Sequence, residues 1–378
     1  MSDAQKPDIT ADAIRRSTRD RDRMRGRLQA WLAERLPGAE VVALSAPANG
    51  MSSETLLFDA TWSDDDAPGG HGHGHGRFVA RVEPPCEAVP VFPTYDLGLQ
   101  HRLMTLVAER TDAPVPKVLW AEDDPAVLGG AFFVMERVDG IVPPDVLPYT
   151  MDGVVLGMDD DQRQMMQDST VDVLSEIHRV PLADAVAAFP EPGGDDARTA
   201  LRRHVDWWHG YLEWVRDDRP TPLLDEAVDW LEAHWPTAAD ERDPVLSWGD
   251  ARIGNVMYGP DHRPVAVLDW EMAGIAPREV DIGWMSFLHT FFQDITEELG
   301  MPGLPGMLRL EDVSTRYTAA SGIAPLDIRW FEVYAAFRHG VIMTRIHDRQ
   351  VHFGEAEPVA DPDEAVMHRE RLRRLISS

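Results

Sequence analysis

The periodicity of the chain changes after Asp139-Gly140. Before that point, short apolar runs separated by turn residues recur. After it, long 3.6-residue patterns dominate, and strand-like segments are confined to "PVLSW", "NVMY" and "PVAVLD" between residues 244 and 269. That division predicts an α+β fold of two lobes, a small sheet-based one over residues 1–135 and a larger, mainly helical one over 136–378. A length of 378 residues suits two units of this size.

In the first part, a helix over 11–36 carries Met24, Leu28, Trp31, Leu32 and Leu36 on one face and stops at Pro37-Gly38. Strands follow at "EVVALS" (40–45), "ETLLFDA" (54–60) and "RFVARV" (77–82), then a helix over 96–110, then strands in "VPKVLW" and "AFFVMERVDG". The segment "DDDAPGGHGHGHG" reads as a loop, since no core could absorb it. His71, His73 and His75 would share one side of an extended backbone, as transition-metal ligands can, but no carboxylate or cysteine pattern closes a site. In the second part helices are expected at 161–179, 198–217, 223–235, 280–293 and 326–346.

Composition narrows the partners. With 65 acidic against 36 basic residues the net charge is −29, a field that repels nucleic acid and anionic lipid and attracts cationic small molecules. No uncharged apolar run approaches the roughly 18 residues a membrane span needs, so no membrane association is expected. The polar start "MSDAQKPDITADAIRR" has no apolar core of a secretory leader, and Cys86, the one cysteine, has no internal disulfide partner. Together these point to a cytoplasmic protein.

The stretch "SWGDARIGNVMYGPDHRPVAVLDWEMAG" from Ser247 to Gly274 carries the chemistry. Gly249 and Gly254 make the backbone around Asp250 and Asn255 a tight loop. Asp269 closes a strand, and a strand–turn–strand path would return it beside Asn255. Two carboxylates and an amide oxygen in one small volume suit Mg²⁺ together with phosphate oxygens. The D-x-x-x-x-N spacing with a second Asp after a strand matches the phosphoryl-transfer template. There Asp250 would accept the acceptor hydroxyl's proton, and Asn255 and Asp269 would hold the metal.

On these residues the chain resembles the aminoglycoside phosphotransferase and choline-kinase family, a branch of the protein-kinase-like fold, over about residues 25–345. The "GDxxxxN…VLDWE" signature is similar to that of phosphotransferase-like domains associated with acyl-CoA dehydrogenases. The resemblance implies a phosphate-binding turn at Gly50, Met51, Ser52 and Ser53 in "PANGMSSET", and a phosphate-binding cation at Arg81, followed by Pro84-Pro85. It places Gln100, with Asp96 one turn earlier, where the family has a Glu that pairs with the cation. It puts an adenine-binding hinge on backbone groups of Met135, Glu136 and Arg137. Trp248 stands where the family commonly has His, and is expected to supply packing rather than chemistry. Asp281 is expected to cap the next helix and brace the catalytic loop.

The function this implies is a small-molecule kinase moving the γ-phosphoryl of ATP or GTP, with Mg²⁺, to an acceptor hydroxyl. Asp206, Glu213, Asp217 and Asp218, near "WWHGYLEW", could favour a polycationic aminoglycoside, and antibiotic resistance would follow; the same tryptophans also read as core. A hydroxylated acyl compound or another metabolite is the rival acceptor. Gln100 and Trp248 raise a second class, a nucleotide-binding pseudokinase or regulator, and a purely structural interaction protein is a third.

Overall fold

Met24, Leu28, Trp31 and Leu32 recur at helical spacing, and in the computed structural model they form the buried face of helix α1 (Arg21–Arg35). The described residues are 21–45, 54–62, 74–85, 88–189 and 198–377. Gly50, Met51, Ser52, Ser53, His71, His73 and Cys86 lie outside them.

The chain divides into two compact units, Met1–Gly98 with Val118–Arg137, and Leu99–Lys117 with Val138–Ser378. In the first, β1 (Glu40–Ser45), β2 (Glu54–Trp62), β3 (Gly74–Val82), β4 (Val118–Glu122) and β5 (Phe132–Glu136) form an antiparallel sheet in the order β1-β2-β3-β5-β4. Alternate residues Leu56, Phe58 and Ala60, Phe78, Ala80 and Val82, and Phe132 and Val134 pack with α1 in one core. Arg81, one residue out of that phase, therefore belongs to the sheet face away from α1. It sits on the inner strand β3, opposite Thr55 of β2 and Phe133 of β5.

The glycine-rich stretch departs from the loop expectation at its end. Gly74, His75 and Gly76 extend β3, with His75 paired to Thr61 and Gly74 to Trp62. The Trp62 ring lies over this stretch, so close that a Cβ on Gly74 would fall 2.3 Å from it. The glycines make room for an aromatic cover that hydrophobic periodicity does not register.

The second unit holds α2 (Leu97–Arg110) from Leu99 onward, α3 (Asp160–Ile177), α4 (Ala200–Arg216), α5 (Pro222–Ala233), α6 (Glu279–Glu298), α7 (Leu310–Ser321), α8 (Ile328–His352) and α9 (Arg369–Ser377). Asp159 and Gln162 close a capping box at the start of α3. Helix α6 is buried on nearly every side and packs along α8. Among the described residues no helix is long and apolar enough to cross a membrane.

Candidate active site

Four short strands frame the loop that holds Asp250. β6 (Val245–Ser247) pairs antiparallel with β9 (Gly274–Ala276), and between them β7 (Val256–Tyr258) pairs with β8 (Pro264–Val267). The expected hairpin is thus nested inside a second strand pair, whose β9 is too short to leave a period-two signal. The Leu268 amide donates to the Asn255 carbonyl at 2.8 Å, so Asp269, one residue on, is returned to the Asn255 end of the loop. Asp269 adopts a left-handed φ of 57°, uncommon for a residue with a side chain and frequent at functional turns. Gly249 has φ 88°, and a Cβ there would lie 1.9 Å from the Met272 carbonyl oxygen, so only glycine lets the loop and the turn meet.

The Asp250 carboxylate is nearly buried and ringed by donors. Trp284 Nε1 on α6 donates to Oδ1 at 2.6 Å, and Asn255 Nδ2 donates to Oδ2 at 2.6 Å. Arg252 Nε forks across both oxygens at 3.0 and 3.1 Å. The other end of Arg252 pairs with Asp145. Burial works against the Arg252 charge, but Asp250 and Asp145 outweigh it and hold its pKa above the ordinary arginine value. Because Asn255 spends its amide hydrogens on Asp250, its carbonyl oxygen is the atom left to meet a cation.

Asp281 holds this loop from below. One of its oxygens accepts from Gly249 N at 2.8 Å and Ser247 Oγ at 3.0 Å; the other accepts from Trp248 N and His178 Nε2, both at 2.9 Å. His178 Nδ1 is in turn hydrogen-bonded to Tyr317 Oη at 2.8 Å, and the carboxylate partner, which can only accept, keeps a hydrogen on Nε2. The bracing expected of Asp281 is present. Capping is not: Asp281 lies inside the first turn of α6, and Arg278 at the N-cap makes no side-chain cap.

Trp248 also does more than fill space. Its Nε1 donates to the carbonyls of Leu268 and Asp269 at 3.0 and 3.1 Å, so the indole ties down the backbone carrying Asp269.

The remaining sequence-derived positions are distributed as follows. Arg81 Nη1 lies 3.4 Å from Thr55 Oγ1, and Gln100 is buried on α2; these two belong to different units. Met135 and Glu136 end β5, and the Arg137 amide donates to the Arg77 carbonyl while its guanidinium pairs with Asp59. On α4, Trp208 and Tyr211 are core, whereas Trp207 and Trp214 are exposed. Asp206 is paired with Arg198 and Arg202, and Glu213 with Arg216. Among the described residues no three His, Cys, Asp or Glu side chains form a metal cluster. Asn255 and Asp269 each carry a side-chain oxygen, a donor type that suits Mg²⁺ completed by phosphate and water rather than a protein-only cage.

Sequence reasoning did not find Trp284, Asp145 or His178, none of which lies near the signature. Arg252 was within reach, two residues after Asp250 in the quoted stretch.

A small antiparallel sheet unit, a helical unit, and an Asp-Asn-Asp set on nested hairpins define a kinase-like phosphotransferase fold. A "putative aminoglycoside phosphotransferase" from Ralstonia eutropha JMP134 shares it, with a TM-score of 0.63 at 23% identity, over 93% of this chain and 96% of that one. A thermostable mutant of aminoglycoside phosphotransferase APH(4)-Ia, in ternary complex with ADP and hygromycin B, matches with a TM-score of 0.54 at 15% identity, over 93% of this chain and 98% of that one. The model of the phosphotransferase enzyme family matches residues 71–308, and the chain belongs to that family. Among curated proteins, the "Probable acyl-CoA dehydrogenase IBR3" of Arabidopsis thaliana is 28% identical over 320 residues, 80% of this chain and 35% of that protein. The chain spans about a third of the length of such relatives.

Proposed function

We propose that the protein is a small-molecule kinase that moves the γ-phosphoryl of ATP or GTP to an acceptor hydroxyl, with Asp250 as the catalytic residue and Asn255 and Asp269 as Mg²⁺ ligands. The observation that carries this reading is the coupling of the three: Asn255 bonds the Asp250 carboxylate, and its backbone bonds the residue before Asp269. Mg²⁺, when bound, would neutralise charge on the transferring phosphates. Both of its candidate ligands offer oxygen, which fits.

The acceptor hydroxyl binds at Asp250 in place of the forked Arg252 Nε contact, and Arg252 keeps Asp145 as its second partner. As the hydroxyl oxygen bonds the γ-phosphorus, its proton passes to the carboxylate and the bond to the leaving nucleoside diphosphate breaks. Trp284 and Asn255 hold the carboxylate's orientation throughout, so catalysis is mainly positioning and electrostatics. On the nucleotide side, Arg81 would meet phosphate. Backbone groups of Met135, Glu136 and Arg137 would meet the base, Arg137 through its carbonyl because its amide is taken. A cytoplasmic setting, where nucleoside triphosphates are made, goes with this reading.

For the acceptor, arginines pair with Asp206 and Glu213, two of the four acids that could favour a polycationic sugar. A hydroxylated acyl compound is the rival acceptor, in keeping with the acyl-CoA dehydrogenase names of the curated relatives. The decisive experiment is nucleotide turnover with ATP and GTP against a panel of aminoglycosides, choline-like amines and hydroxyacyl compounds, with Asp250→Asn as blank. Transfer abolished by that substitution supports the kinase. Thermal stabilisation by nucleotide without transfer to any hydroxyl identifies the pseudokinase.

A further inference from the structure

Arg338 sits in the middle of α8 with no exposed surface. A guanidinium so placed is costly unless something compensates its charge. Its Nη2 donates to the Gly249 carbonyl at 3.0 Å, and among the described residues its Nε and Nη1 meet no hydrogen-bond acceptor. Aromatic rings surround it instead. The guanidinium carbon lies 4.5 Å from the Trp284 ring centroid, 4.6 Å from that of Trp208 and 5.7 Å from that of Tyr334. His204 on α4 is hydrogen-bonded to the Tyr334 hydroxyl at 2.8 Å.

Two routes lead from Arg338 to Asp250. One is the Gly249 carbonyl, which belongs to the peptide joining Gly249 to Asp250. The other is the Trp284 ring, whose edge donates to Asp250 Oδ1 while its face packs on the cation. Burial lowers the Arg338 pKa, and the nearby charges of Asp281 and Asp250 act against that loss. An apolar side chain would fill the same space. Only a planar guanidinium donates at its edge while offering its faces to rings.

We propose that Arg338 is a positioning residue for phosphoryl transfer, setting the Gly249–Asp250 peptide and the Trp284 ring together so that the Asp250 carboxylate is aimed at the acceptor hydroxyl. The inference rests on the kinase reading of Asp250. Arg338 has no exposed surface to offer an acceptor or nucleotide, so its loss should appear in kcat and not in KM.

The test compares Arg338→Lys and Arg338→Met with the wild-type chain. Arg338→Met is expected to lower kcat about 100-fold and Arg338→Lys about tenfold, with nucleotide and acceptor KM unchanged in both. Hydrogen exchange should quicken in peptides covering residues 245–255 and stay as in the wild type over 118–136. Wild-type kcat in Arg338→Lys, or unaltered exchange over 245–255, overturns the proposal. If Arg338→Met does not fold, Arg338→Lys alone decides. If the wild-type chain phosphorylates no acceptor, the kinase reading fails, and the exchange comparison still determines whether Arg338 holds the loop.

Discussion

Trp284 gives its indole hydrogen to Asp250 Oδ1 at 2.6 Å across 34 residues of sequence. The bond binds the candidate catalytic carboxylate to the central helix α6 and leaves it one allowed orientation. Trp284→Phe keeps most of the ring volume and removes that donor. Turnover should fall about 100-fold, in line with losing one preorganised donor, while nucleotide affinity measured by calorimetry holds. Wild-type turnover in this variant would show that Asp250 is oriented without Trp284.

Trp248→Phe deletes the hydrogen bonds to the Leu268 and Asp269 carbonyls. We expect a stability loss of about 1 kcal/mol by urea unfolding, and a several-fold rise in the Mg²⁺ concentration needed for half-maximal turnover. An unchanged Mg²⁺ dependence would return Trp248 to a packing role.

Asp281→Asn should be the most damaging of these changes to stability. The carboxylate accepts four bonds with no exposure, and an amide cannot accept at its nitrogen. A buried donor is left unmet and the bond from His178 or a loop amide is lost, at a cost of about 3 kcal/mol. A denaturation midpoint equal to the wild type would contradict the bracing role.

Asp145→Asn weakens the second anchor of Arg252. Arg252 should then stay on Asp250 and compete with the acceptor hydroxyl. Acceptor KM is expected to rise while nucleotide KM holds, as steady-state kinetics with each substrate varied would reveal. A fall in acceptor KM would mean that Asp145 hinders acceptor binding.

Acid should destabilise the second unit through its buried histidines. Burial lowers both His368 and His289 to about 4; His368 is held by the Ala336 carbonyl and His289 by the Leu304 carbonyl. In the unfolded chain both titrate near 6.5. Between those values only the unfolded state binds the proton, so stability is complete above about pH 6.5 and declines as pH falls toward about 4. Each contributes up to about 3 kcal/mol across that window. The urea midpoint at pH 5 should lie below that at pH 7.5, and His368→Gln should flatten the decline. A rising midpoint toward acid would refute this.

Much of the fold was legible because its signals are local. Met24, Leu28, Trp31 and Leu32 repeat at helical spacing, Phe58 and Phe78 alternate with outward residues, and both patterns survive unchanged in the core. The loop, hairpin and turn that carry Asp250, Asn255 and Asp269 could be read for the same reason, since they lie within one short stretch. What could not be read arrives from far away. Trp284 and His178 reach the loop from other helices, and no periodicity records a hydrogen bond between distant elements. The pairing of Asp206 with Arg198 and Arg202 is a further relationship that a charge count does not register.

The contact between Arg338 and the Gly249 carbonyl spans 89 positions of chain. A ribosome that has already released the Asp250 loop must therefore make most of the later helices before that anchor exists. Until α8 emerges and docks, the growing polypeptide carries the Asp250 loop without that anchor, so the loop should reach its final order only late in synthesis.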